Sequence, residues 1–227
     1  MPFQLQKDRF SMIQLNLGLK KDGPLKVLCL GSHSDDIEIG CGGTILRLIE
    51  EYPAVAFHWV VFSAIGVRGA EAKLASESFA GSHVERLILK EFRDGFLPYN
   101  GADVKAVFEE LKQLVSPDLI LTHQPHDAHQ DHRLLSELTW NTFRNHFILE
   151  YEIPKYDGDM GRPSVFVPLT KEITQMKVHH LMDSFASQRS KNWFDDSTFQ
   201  SLMRLRGMEC NSPSGYAEAF YCRKLVL

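Results

Sequence analysis

Residues 25–43 read LKVLCLGSHSDDIEIGCGG, and the rest of the chain is best understood from this stretch. The apolar run LKVLCL is short and rich enough in Leu, Val and Cys to be a buried strand. It leads at once into a histidine, two adjacent aspartates, a glutamate and a cluster of glycines. Solvated loops often carry acids, but they seldom place His33-x-Asp35-Asp36 directly at the end of a strand that reads as buried.

Working outward, apolar runs at 57–62, 84–89 and 119–122 repeat the pattern, the last nearly uniformly apolar, as a strand covered on both faces should be. The four runs are followed in turn by amphipathic helical patterns at 44–51, 71–79, 104–115 and 134–145. Strand–helix units in succession predict an α/β chain, a Rossmann-like three-layer αβα fold with a mostly parallel sheet and right-handed crossovers. In such sheets ligands bind outside the carboxyl ends of the strands. His33, Asp35 and Asp36 after the first strand, Arg68 and Glu71 after the second, Asp94 after the third and the segment 123–132 after the fourth are therefore expected to meet on one rim.

Past residue 151 the pattern loosens. The Pro/Gly-rich IPKYDGDMGRP leads to a short strand at 165–167, helices at 171–185 and 198–206, and a polar final strand at 217–227. We read residues 1–227 as one domain, with 1–22 an N-terminal extension and 151–227 the variable part that shapes the substrate pocket.

A formal net charge of −4 gives no compositional support for binding nucleic acid. The four cysteines have no CxxC spacing and read as reduced thiols of a cytoplasmic protein. The N-terminus lacks the apolar segment and cleavage site of a secretory signal, and no run is long enough to insert in a membrane.

The segment 123–133, HQPHDAHQDHR, places His123, His126, His129 and His132 three apart with Asp127 and Asp131 between them. A catalytic divalent ion takes about three protein ligands and keeps a position open for water. His33, an aspartate of the first loop and one histidine of the second supply that set. The remaining adjacent aspartate would stand ready to take a proton from the water. Adjacent residues rarely aim at one point, so the two roles divide between Asp35 and Asp36, without spacing saying which takes which. Singly, each loop has a plainer reading as turn chemistry or a solvated surface. The glycines 40, 42 and 43 lack dinucleotide-binding spacing, and the acids before them repel a pyrophosphate. Close backbone approach and entry into the helix TILRLIEE are their expected roles.

These residues resemble the PIG-L/LmbE-like metal-dependent N-acetylglucosamine deacetylase family. The family's A-H-P-D-D-x-E-x-G-x-G-G corresponds to SHSDDIEIGCGG, with Ser32 and Ser34 as departures, and its H-P-D-H to His129-Gln130-Asp131-His132. RGAEAKLASESFAG, FRDGFLP and RGMECNSPSGYAEAFYC resemble further segments, and SQRSKNWF a recurring Ser-Gln stretch to which no role attaches. The resemblance implies a zinc-dependent hydrolase that removes the acetyl group from an N-acetylated amino sugar or glycoconjugate. It implies His33, Asp36 and His132 as metal ligands, Asp35 as general base, His129 as the acid for the leaving amine and Asp131 as support for a histidine. Arg68 and Asp94 match positions that contact sugar hydroxyls. Some members carry a tyrosine that polarises the carbonyl two residues before the acid histidine, where this chain has Asp127.

The expected cofactor is Zn²⁺, with Fe²⁺ accepted by the same donors. The expected partner is a small N-acetylated sugar, association into a homo-oligomer being left open. His123 and His126 match no motif and are candidates for substrate contact, as Trp193 is for sugar stacking. A ferrous oxygenase with a His/Asp/His triad would demand O₂, and a metallophosphoesterase would bind two metals. A sugar- or metal-binding module would have no use for Asp35 and His129 beside a complete ligand set.

Overall fold

A computed structural model describes residues 23–226. The N-terminal extension expected at 1–22 lies outside the described residues. In chain order the elements are β1 (Lys26–His33), α1 (Asp36–Glu51), β2 (Ala56–Ser63), α2 (Val67–Ala80), β3 (Val84–Leu89), α3 (Gly101–Leu114), β4 (Leu119–His123), α4 (Gln130–Thr142), β5 (Phe147–Tyr151), β6 (Val165–Leu169), α5 (Lys171–Ser184), α6 (Asp196–Glu209) and β7 (Tyr216–Tyr221), with short 3₁₀ turns at Gly81–His83, Leu97–Asn100 and Ala186–Gln188.

The strands form one seven-stranded sheet in the order β3-β2-β1-β4-β5-β7-β6. Neighbours from β3 through β5 are parallel, while β7 runs antiparallel to both β5 and β6. The mostly parallel α/β architecture agrees with the strand–helix alternation. Strand order reverses between β1 and β4, and that switch point is where an open parallel sheet leaves a crevice.

Alternation along β1 builds both faces of the core. Val27 and Cys29 pack with Phe57, Trp59 and residues of α1, α2, α5 and α6. Leu28 and Leu30 pack with Val60, Phe62 and residues of α3 and α4. Both faces are therefore dry, as parallel strands require. No described helix is long and apolar enough to cross a membrane.

Three boundaries differ from the sequence reading in ways that matter for the site. β1 runs on to His33, so that histidine is the last strand residue rather than a loop residue. α4 starts at Gln130 instead of 134, which puts Asp131 and His132 on its first turn. α1 starts at Asp36 instead of 44, and its glycines lie inside the helix despite their low propensity. Close approach explains them: a Cβ on Gly40 would stand 2.3 Å from the Tyr151 ring, and one on Gly42 2.5 Å from Phe79.

The helix breaks at Cys41 (φ −145°, ψ 16°). The amides exposed there are satisfied from far along the chain: Gly43 N–H and Thr44 N–H donate to the Glu218 carboxylate at 2.8 and 2.6 Å. Buried Lys177 neutralises Glu218 at 2.6 Å and donates to Ile39 O at 2.6 Å. The reading also passed over β5, a five-residue strand carrying the buried Glu150.

Because the Tyr151 ring is fully buried and its hydroxyl donates to Leu30 O at 2.6 Å, it has nowhere to retreat. Gly40→Ala is expected to destabilise the fold by about 1–3 kcal/mol, the usual cost of overpacking. Urea denaturation followed by circular dichroism measures it, as a lower midpoint with unchanged slope.

Candidate active site

The crevice between the ends of β1 and β4 gathers the residues that the two loops supply. His33 ends β1, and its backbone N–H donates to Asp36 Oδ2 at 2.6 Å, so strand and helix are clasped across the Asp35 turn. Asp35 occupies the N-cap position of α1 without making a side-chain cap, which leaves its carboxylate free for other partners. Asp36 lies in the first helical turn, where the amide dipoles favour negative charge.

His33 Nδ1 stands 3.2 Å from His132 Nε2 and 3.3 Å from Asp36 Oδ2, while His132 Nε2 stands 3.5 Å from Asp36 Oδ1. Donors bound tetrahedrally at about 2.0–2.1 Å stand about 3.3–3.4 Å apart, so the spacing is near what one shared ion requires, with the two histidines facing different oxygens of Asp36. Two ring nitrogens and a carboxylate that face each other this closely, among few protons, suit a cation better than they suit one another. Overlapping groups at the same place, His33/His129/His132, His33/Asp94/His129/Asp131 and Asp36/His123/His132, also hold their donor atoms within 4.8 Å.

The other nitrogen of His33 faces carboxylates: Nε2 is 3.3 Å from Asp131 Oδ2 and 3.1 Å from Asp94 Oδ1. Asp131 is wholly buried and accepts from Gly95 N–H at 2.8 Å and Leu97 N–H at 3.1 Å. The histidine that Asp131 supports is thus His33, and the loop after β3 is tied to α4 through the same carboxylate. His129, the N-cap of α4, accepts the Asp131 N–H at Nδ1 (3.2 Å), and its ring lies between the edge of His33 and the face of His132.

Arg68 and Asp94, expected at sugar hydroxyls, are engaged by the protein itself. Arg68 reaches Asp35 Oδ1 with Nη2 and Glu71 Oε2 with Nη1, both at 2.7 Å. Glu71 is held in turn by Ser187, whose N–H and hydroxyl each donate at 2.7 Å. The Ser-Gln stretch, which had no role in the sequence, anchors this chain of contacts from the far end of the molecule. Asp94 keeps its carboxylate largely exposed while touching His33.

The adjacent aspartates are driven apart electrostatically. Burial raises the Asp35 carboxyl above its ordinary range and the charge of Asp36 adds to this, against the pull of Arg68. Burial also acts on Asp36, but His132, His123 and His33 outweigh it and hold the carboxyl well below its ordinary range. Burial takes His132 down to about 4, so its imidazole is neutral and carries a lone pair. Burial and the charge of His33 lower His129.

His123 was unassigned by motif. It is wholly buried, stacked on His132 with ring centroids 4.0 Å apart, and its Nε2 accepts from Ser32 N–H at 3.1 Å and lies 3.2 Å from Asp36 Oδ2. A nitrogen that already accepts an amide proton faces Asp36 with its lone pair, which places His123 in the same donor group as Asp36 and His132. His126 is exposed and outside the cluster. Trp193 packs edge-on against Phe194, with centroids 5.6 Å apart, at the margin of the core. Lys155 went unnoticed in the Pro/Gly-rich segment, where no spacing marked it. It lies 3.0 Å from Asp127 and 2.6 Å from Asp159.

A family model described as PIG-L, GlcNAc-PI de-N-acetylase, matches residues 28–143, which carry both loops. The chain belongs to the PIG-L family. A Thermococcus kodakarensis relative named diacetylchitobiose deacetylase is 27% identical over 145 residues, covering 56% of this chain and 53% of the relative. The chain thus spans about half the length of that curated relative. The PIG-L chain also resembles the structure of N,N'-diacetylchitobiose deacetylase from Pyrococcus horikoshii, with a TM-score of 0.67 and 20% identity over 89% of this chain and 84% of that one. The same fold appears in the 4-carboxy-2-hydroxymuconate hydratase of Pseudomonas putida KT2440, with a TM-score of 0.67 and 17% identity over 89% of this chain and 97% of that one.

Removing Arg68 leaves the buried Asp35 carboxylate without its cation, while Glu71 keeps its two bonds from Ser187. Arg68→Leu is expected to cost on the order of 3 kcal/mol near neutral pH. Without the guanidinium the folded Asp35 carboxyl, already raised by burial, binds its proton still more tightly than the unfolded one, so the deficit grows as pH rises through the carboxylate range and shrinks towards pH 4. Urea midpoints of both proteins at acid and neutral pH measure it.

Proposed function

We propose that this PIG-L chain is a metal-dependent hydrolase that removes the acetyl group from an N-acetylated amino sugar or N-acetylglucosamine conjugate. His33, Asp36 and His132 would hold the divalent ion, Zn²⁺ or alternatively Fe²⁺. The donor chemistry supports this: two imidazoles and a carboxylate at ion-sharing distances. A zinc ion held there would supply a water of lowered pKa and a Lewis acid for the acetyl carbonyl.

The observation that carries the reading is the contrast in surroundings of the adjacent aspartates, Asp35 against Arg68 and Asp36 among three imidazoles. Environments that push the pKa values of neighbouring groups apart mark out acid, base and ligand. Asp36, held anionic among imidazoles, suits a ligand. Asp35, raised by burial and tethered through one oxygen to Arg68, suits a base that accepts a proton on its other oxygen. His129, at the opposite wall, would protonate the departing amine nitrogen. Asp131 would keep His33 oriented, as carboxylates do for metal-bound imidazoles. Arg68 and Asp94 edge the mouth where sugar hydroxyls would enter. The relatives named as diacetylchitobiose deacetylases support the acetylated-sugar class.

The test is acetate release from a panel of N-acetylated saccharides and conjugates, before and after chelation and with Zn²⁺ added back. Activity on at least one substrate, lost on chelation and restored by metal, is expected. Asp35→Asn should keep its metal and lose about a hundred- to ten-thousandfold in turnover. Wild-type turnover in that variant would remove the base assignment, and activity demanding O₂ or two metals would replace the hydrolase reading.

A further inference from the structure

Asp127 stands where some relatives of the resembling family have a tyrosine, and its surroundings give it a different task. The residue is almost fully buried, between the end of β4 and the start of α4. Its Oδ1 accepts the His129 N–H at 2.8 Å and lies 3.0 Å from Lys155 Nζ. Its carbonyl accepts from Arg133 Nη1 at 2.9 Å. Its Oδ2 stands 3.0 Å from His132 Nδ1. That contact falls outside hydrogen-bond geometry, and among the described residues neither atom has a hydrogen-bond partner.

His132 is confined in every respect but one. His123 stacks on it at 4.0 Å between centroids and 17° between planes, and His129 at 4.6 Å and 30°. The stacked rings set its plane. They do not decide which nitrogen carries the proton, since a stacked face offers no acceptor in the ring plane. Acceptors stand at both nitrogens, Asp127 Oδ2 3.0 Å from Nδ1 and, across Nε2, His33 Nδ1 at 3.2 Å and Asp36 Oδ1 at 3.5 Å; a proton on Nδ1 meets the nearest of them, a carboxylate, and leaves Nε2 free.

We propose that Asp127 is a positioning residue that holds His132 as its Nδ1–H tautomer, so that the Nε2 lone pair faces His33 and Asp36. The inference rests on the metal-site reading above. Lys155, braced by Asp159 at 2.6 Å, keeps the carboxylate charged and in place. Asp159 also accepts the Ala128 N–H at 2.6 Å, so the segment after β5 fastens the segment that carries Asp127. An ionised carboxylate turned towards His132 cannot donate to a carbonyl oxygen. Position 127 therefore serves the ligand rather than the oxyanion in this chain.

Two measurements that need no substrate test this. Long-range ¹H–¹⁵N spectra of the metal-free protein, with the His132 signals assigned by their loss in His132→Gln, should show Nδ1 protonated. Zn²⁺ affinity, read by competition with a chromophoric chelator, should fall about 10- to 100-fold in Asp127→Ala, the usual effect of losing such a partner. The same variant should lose the single tautomer. Asp127→Asn, whose amide oxygen still accepts but carries no charge, should keep the tautomer and lose several-fold in affinity. Lys155→Met should keep the tautomer. A His132 protonated at Nε2 in the wild type would overturn the proposal. So would wild-type Zn²⁺ affinity in Asp127→Ala or, should that variant not fold, in Asp127→Asn. If no N-acetylated sugar releases acetate while these shifts appear, the substrate reading fails and the positioning role stands.

Discussion

The constraint on which the rest depends is a carboxylate withdrawn from water. Asp36 is buried at the switch point of the sheet, and an unpaired ion there would cost several kcal/mol. Its partners come from three places: His33 from the end of β1, His123 from the end of β4 and His132 from the first turn of α4. No local segment could supply them. They meet because β1 and β4 are adjacent parallel strands, paired from Val27 and Leu119 onward, so that both chains emerge at one level. Burying the charge and building the fold are thus the same event.

The second half of the molecule is tied to this loop by buried charge rather than by apolar contact alone. Glu218 on β7 caps the break in α1, with Lys177 of α5 as its counterion. Ser187 holds Glu71, Glu71 holds Arg68 and Arg68 holds Asp35. The Glu218 links are directional bonds in a dry place, where a missing partner is costly and a satisfied one rigidifies, while the chain from Ser187 to Asp35 runs inward from an exposed serine through a partly exposed Arg68. The arrangement gives the adjacent aspartates different masters: Asp35 answers to the C-terminal half through Arg68, and Asp36 to the sheet through its imidazoles.

These long-range ties mark the boundary of what could be read from the chain. The alternation of apolar runs and helical patterns carried β1 to β4, each an apolar run ahead of a helical pattern, and missed the parallel β5, which no helical pattern follows directly. Donor chemistry made a site of His33, one aspartate of the first loop and one histidine of the second legible, and only the family resemblance singled out Asp36 and His132. The start of α1 was not, since glycines at 40, 42 and 43 argue against helix until the Tyr151 and Phe79 rings are seen pressing on them. His123 was ambiguous among four evenly spaced histidines, although its place as the residue ending an apolar run was a signal that it is buried. Glu218 and Lys177 could not have been paired from sequence, for nothing local distinguishes a charge bound for a helix break from one bound for solvent.

The fold does not settle the chemistry, since a hydratase shares it. Hydration and amide hydrolysis both begin with an activated water, and Asp35 would serve either. They part at the proton that follows. Amide cleavage under the proposed reading must deliver one to nitrogen, from the wall opposite the base. Under that reading the proton comes from His129. Its Nδ1 is occupied by the Asp131 N–H, so Nε2 is the nitrogen left to carry and release a proton. Its backbone N–H is fixed by Asp127, the same carboxylate that faces His132. One side chain thus contacts both His132 and the backbone of His129, the residues that the proposed reading makes ligand and acid.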